Sequence, residues 1–113
     1  MGAKSRRKGK VGELEAAAEI RRIFGTEARR GRQYQGTDES PDLLTGIPLV
    51  HFEVKRVETL RLYQALAKAI EDAGPNIPVV LHRANQKPWV AIVRLDDLPR
   101  VAVQVYLTLA ENS

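Results

Sequence analysis

Asp42, Glu53 and Lys55 have the types and spacing to hydrolyse a phosphodiester. Asp42 follows Pro41, and Glu53-Val54-Lys55 comes after a short, mostly apolar stretch. Asp42-Leu43-Leu44-Thr45 reads as a strand, Gly46-Ile47-Pro48 as a turn, and Leu49 to Arg56 as the return strand. Glycine admits unusual dihedrals there and proline cannot extend a ladder. A loop from Gly46 to Leu49 would set Thr45 opposite Val50 and Asp42 opposite Glu53. Opposed residues share a sheet face, with Cβ atoms about 5 Å apart. Alternation then gives His51, Glu53 and Lys55 to that face, and Val50, Phe52 and Val54 to the other. Two carboxylates so placed repel unless a cation or proton lies between them. A divalent metal with oxygen ligands meets that need, and Lys55 would polarise the attacking water or the phosphate. The competing reading is an exposed sheet face, where Asp, Glu and Lys are ordinary.

A third carboxylate comes from upstream. Lys8 to Phe24 reads as a helix, with apolar residues at helical spacing around Ala16-Ala17-Ala18. Ala16, Ala17, Ile20 and Phe24 form one arc with Glu13 in its middle, while Glu15, Glu19 and Arg22 fall on the opposite, wet side. An ionised carboxylate on a buried face is costly unless paired or metal-bound. Alternatively, Glu13 lies in the first turns, where an acid suits the helix dipole and reaches water.

Arg7-Lys8-Gly9 leading into the Glu13 helix, then Pro41-Asp42, then Glu53-Val54-Lys55 and a following helix, give the chain its likeness to a known group. It resembles the PD-(D/E)XK nuclease superfamily, and within it the small archaeal-type Holliday junction resolvases, which also occur in phages. The likeness covers residues 5 to 73 by motif and the rest by element order. It implies a restriction-endonuclease-like core and a Mg²⁺-dependent endonuclease of DNA recombination and repair, with Mn²⁺ able to substitute. The matching acids Glu13, Asp42 and Glu53 would ligate the metal together with the Val54 carbonyl, and Lys55 would help activate water. The implied substrate is branched DNA, above all four-way junctions, resolved by paired cuts; the alternatives are another repair or restriction-type nuclease of the same superfamily, or a basic DNA-binding domain that keeps the fold without cutting. Archaeal members carry a functional serine before the aspartate; Ser40, next to Pro41, does not match that position and inherits no role.

With 113 residues the chain suits a single domain. Lys and Arg total 18 against 14 acids, a net charge of +4 that suits a polyanionic partner. The distribution says more than the sum. Lys4, Arg6, Arg7, Lys8 and Lys10 crowd the N-terminus, and Arg29, Arg30 and Arg32 crowd a second stretch. Arg6, Arg7, Lys8, Arg29, Arg30 and Arg32 are therefore expected to bind DNA phosphates. Residues 1–7 are expected as a flexible basic arm, which either grips DNA or serves as a solubilising tail. The lack of cysteine excludes disulfides and thiolate metal sites. No apolar run is long enough to span a membrane, and none follows the basic N-terminus as in a signal peptide. A cytoplasmic protein is expected, in the host cell if phage-encoded, with no small-molecule cofactor. His51 and His82 are too sparse for a zinc centre; His51, on the expected active face, suits a minor phosphate contact.

Thr26 to Gln33 reads as a weak strand, and Tyr34 to Pro41 as a polar loop carrying DNA contacts. A helix from Thr59, its N-cap, to Ala73 is stopped by Gly74-Pro75. Its inner stripe is Leu62, Leu66, Ala69, Ile70 and Ala73, with Gln64 on the surface. Ile77 to Arg83 and Pro88 to Arg94 read as apolar strands of a covered sheet, and Trp89 suits core packing or base stacking. Asp97 caps a last helix with Pro99 in its first turn. The expected fold is a single α/β domain, a mixed central sheet flanked by helices in the order α-β-β-β-α-β-β-α. On the last helix Leu98, Val101, Ala102, Val105 and Leu109 would pack on the sheet. Val103 and Leu107 lie opposite, an all-round apolar pattern that predicts a homodimer. A two-fold dimer would match a two-fold junction.

Overall fold

The structure is a computed structural model and describes residues 2–31 and 41–112, with the side chains of 2–8 outside the described ones. Its elements are α1 (Gly2–Phe24), β1 (Ala28–Arg30), β2 (Leu43–Thr45), β3 (Val50–Arg56), α2 (Leu62–Ala73), β4 (Ile77–Arg83), β5 (Val90–Ile92) and α3 (Leu98–Glu111). A 3₁₀ turn, Leu95–Asp97, leads into α3. The order is the expected α-β-β-β-α-β-β-α. The five strands stand in the sheet in the order they have in the chain. Neighbours are antiparallel except β3 and β4, which run parallel. A parallel pair needs a crossover segment, and α2 supplies it.

Alternation along β3 sorts its side chains between two layers. Phe52 joins Ala16, Ala17 and Ile20 of α1, with Leu43, Val79 and Leu81 from neighbouring strands. Glu53 pairs in register with Val80, and Val80 packs with Ala65, Leu66 and Ala69 of α2. The sheet is thus covered by α1 on one face and α2 on the other. Ile77 to Leu81 are buried without a break, as a doubly covered strand requires.

Gly12 sets how closely α1 lies on β3. A Cβ at Gly12 would stand 2.6 Å from the Arg56 Cβ, so a larger residue would lift the helix and Glu13 with it. The same crossing is tied by Glu15, whose Oε1 accepts from Arg83 Nη1 at 2.9 Å and Arg56 Nε at 3.3 Å. Glu15 was expected in solvent; two arginines at the sheet end draw it in. In the turn after β2, the Ile47 N–H donates to Thr45 Oγ1 at 3.1 Å. Leu49 closes that turn at φ 67.

Several boundaries differ from expectation. Helix α1 begins at Gly2 and takes in most of the stretch expected as an arm. Strand β1 is shorter than Thr26 to Gln33. Helix α2 begins at Leu62, with Arg61 at the N-cap position and no side-chain cap, so Thr59 does not cap it. Leu62 is 39% exposed, and Ala65 takes its place in the buried stripe. Helix α3 is rotated from the expected arc. Thr108 is buried and Val101, Gln104 and Val105 are half-buried, whereas Leu98, Ala102 and Leu109 are exposed. Thr108 tolerates burial because its hydroxyl donates to the Gln104 carbonyl at 2.8 Å. Asp97 makes no side-chain cap; Arg94 holds its carboxylate at 2.7 Å instead. Among the described residues, no helix is long and apolar enough to cross a membrane.

Candidate active site

Asp42 is built into the end of the β2–β3 pair. Leu43 stands opposite Phe52, the register that a Gly46–Leu49 turn requires. One residue on, the Asp42 N–H donates to the Phe52 carbonyl at 2.8 Å. The Asp42 carboxylate Oδ2 accepts the Val54 N–H at 2.7 Å, a side chain taking the place of a neighbouring strand. The Gly31 N–H donates to the Asp42 carbonyl at 2.9 Å. A Cβ at Gly31 would collide with the Pro41 carbonyl oxygen, so glycine permits this approach. Asp42 is thereby fixed from both adjoining strands while only 3% exposed.

Glu53 is equally buried and faces α2. His51 Nε2 lies 2.9 Å from Glu53 Oε1, within hydrogen-bond reach, with both side chains 3% exposed. Across the layer Lys68 Nζ donates to Asp72 Oδ2 at 2.7 Å. That hydrogen bond holds the Asp72 carboxyl below its ordinary 3.8; burial opposes it, and the Lys68 charge, His51 and Glu53 add smaller lowering effects. His51, Glu53, Lys68 and Asp72 thus form one polar group under α2. Sequence reasoning placed His51 and Glu53 on this face but missed Lys68 and Asp72. The available signal was their i,i+4 spacing, with Asp72 three residues after Ala69 at the border of the buried stripe.

Glu13 is buried at 7% exposure, as its arc implied. Its charge is met by Arg30, whose Nε donates to Glu13 Oε1 at 2.7 Å. Arg30, expected on DNA, is turned to this carboxylate. Among the described residues, no group of three or more His, Asp or Glu side chains is gathered to hold a metal ion. The structure therefore brings Asp42 near Glu53 through adjoining strands and leaves Glu13 with Arg30. Two buried carboxylates and the Val54 carbonyl offer the hard oxygen donors that Mg²⁺ takes. That donor chemistry fits the ion in part, with the third acid engaged elsewhere.

Lys55, half-buried, opens onto a cleft of about 360 Å³ that it lines with Val57, Thr59, Leu60, Arg61, Gln64, Ala65 and Lys68. Gln64, expected on the outer surface, is exposed but faces this cleft. His82 Nε2 lies 2.9 Å from the Val57 carbonyl, and Trp89 packs partly buried against the α1-side core. Arg29 is exposed on β1. Arg32, Ser40 and the loop up to Ser40 lie outside the described residues, as do the side chains of Arg6, Arg7 and Lys8.

No family model, curated protein or solved structure matches the chain.

Proposed function

We propose that the chain is a Mg²⁺-dependent DNA endonuclease of the PD-(D/E)XK kind, acting on branched DNA and above all on four-way junctions. One observation carries the reading: buried Asp42 and Glu53 are fixed at one end of the β2–β3 pair, next to Lys55 and a cationic cleft. Burying two like charges is unfavourable without a compensating cation. Asp42, Glu53 and the Val54 carbonyl would hold Mg²⁺ or Mn²⁺, and Glu13 would join them on release from Arg30. When bound, such an ion stabilises charge on the phosphate and lowers the pKa of water.

The protein groups do the positioning. The Val54 N–H fixes the Asp42 carboxylate, and His51 fixes that of Glu53. Lys55 Nζ would donate to a phosphate oxygen or the attacking water. Arg29, Arg32 and the basic stretch around Arg6, Arg7 and Lys8 would add phosphate contacts that raise affinity without base reading. Paired cuts would come from a homodimer formed through α3, whose Leu98, Val103, Tyr106, Leu107 and Leu109 are all at least 43% exposed. DNA as substrate makes the cytoplasm part of the same proposal.

The Glu13–Arg30 ion pair favours a second reading, a basic DNA-binding domain that retains the fold without cutting. A cleavage assay on labelled four-way junction, flap and linear duplex separates the two. Mg²⁺-dependent cutting of the junction, abolished by EDTA and by Asp42→Asn, is the expected result. Tight junction binding with no cutting in Mg²⁺ or Mn²⁺ would select the second reading.

A further inference from the structure

Two pairs of ionisable side chains meet beneath α2. Ala65, Leu66 and Ala69 of α2 pack with Val80, the residue in register with Glu53. Lys68 and Asp72 flank Ala69 in the sequence, at the border of that packed stripe. Glu53 lies 2.9 Å from His51, and Lys68 donates to Asp72 at 2.7 Å. The Asp72 side chain is turned inward at 8% exposure, while that of Lys68 keeps 47%. The Asp72 carboxyl is held low mainly by its bond from Lys68, and His51 and Glu53 act on it as well. Lys68 and Glu53 thus lie on either side of one carboxyl. A lysine has a long, flexible stem, so an ammonium released from Asp72 has Glu53 within reach. The outcome of such a capture is visible elsewhere in the molecule, where Arg30 donates to Glu13 and occupies it. A Glu53 carboxylate already paired with an ammonium would have much less attraction for a second cation.

We propose that Asp72 is a positioning residue for the metal site: it holds the Lys68 ammonium and so leaves the Glu53 carboxylate open to Mg²⁺. This rests on the nuclease reading and deepens it, because it gives the crossover helix α2 a part in the site that it covers. Groups behind a ligating carboxylate set metal affinity by about 10- to 100-fold.

The test titrates Mn²⁺ alone into the full chain without DNA and reads the free ion by electron paramagnetic resonance. Asp72→Asn keeps the shape of the side chain and removes the charge that holds Lys68, so Mn²⁺ affinity should fall roughly tenfold. Asp72→Ser should give the same loss. Lys68 already reaches water, so neither change strands a buried cation and both variants should fold. Adding Lys68→Met to Asp72→Asn removes the capturing group, and affinity should return close to wild type. A pair that served the fold alone would lower the thermal midpoint of these variants and leave Mn²⁺ affinity unchanged. Wild-type affinity in Asp72→Asn would overturn the proposal, as would a double variant that binds no better than Asp72→Asn. If Asp72→Asn binds Mn²⁺ as wild type while the wild type cuts junctions in Mg²⁺, the role of Asp72 falls and the nuclease reading stands. A wild type that neither binds Mn²⁺ nor cuts DNA would remove both.

Discussion

Arg30 donates to Glu13 across 2.7 Å, tying the buried face of α1 to the end of β1. The pair answers the cost of a buried carboxylate without any metal, and it makes Glu13 conditional as a ligand. Arg30→Met should leave Glu13 uncompensated and lower stability by about 1–3 kcal/mol, less than a fully buried pair would lose because Arg30 keeps some exposure. Adding Glu13→Gln to Arg30→Met should recover much of that loss. Urea unfolding of the single and double variants measures both. Equal stability of Arg30→Met and wild type would show the pair to be without consequence.

Asp42→Asn and Glu53→Gln should abolish cutting and leave DNA affinity nearly intact. An asparagine carbonyl can still accept the Val54 N–H, so the β2–β3 end should hold while the charge is lost. Single-turnover cleavage with saturating Mg²⁺, beside a binding titration in EDTA, separates chemistry from affinity. Near-normal turnover by folded Asp42→Asn protein would remove this site from consideration.

Gly12→Ala should be destabilising although alanine is the better helix former. The methyl meets the Arg56 Cβ at 2.6 Å, and both are held by their backbones, so the helix must shift. The expected loss is about 1–3 kcal/mol, against a propensity gain of about 1 kcal/mol. Thermal unfolding decides the sign: a raised midpoint would mean that α1 has room to spare.

The β2–β3 turn and register were legible because Gly46 and Pro48 mark a turn and because a period of two fixes every side chain once the turn length is set. Burial of Glu13 was legible from the 3.6-residue period. Its partner was not, because Arg30 belongs to another segment and nothing local distinguishes it from Arg29 or Arg32. The seating of α3 failed for a different reason. A helix apolar nearly all round has no unique face, and the structure chose the side with Thr108 and Gln104. The start of α2 was misplaced because Thr59 is a good cap by type, yet the chain turns into the helix only after Arg61.

That same rotation of α3 sharpens the dimer expectation. It leaves Leu98, Val103, Tyr106, Leu107 and Leu109 together in solvent, a larger apolar surface than the sequence arc implied. Sedimentation at micromolar concentration should give a dimer for wild type and a monomer for Val103→Glu/Leu107→Glu. A wild-type monomer would leave α3 without this explanation.

Because the sheet keeps the strands in chain order, every ladder joins segments that leave the ribosome one after the other. Folding can then proceed from the β2–β3 turn outward, without a late strand threading between two earlier ones. The outermost strands, β1 and β5, hold three residues each, too short to template pairing with another copy. A chain built to gather charge at its sheet end thus has little exposed edge on which to aggregate while it forms.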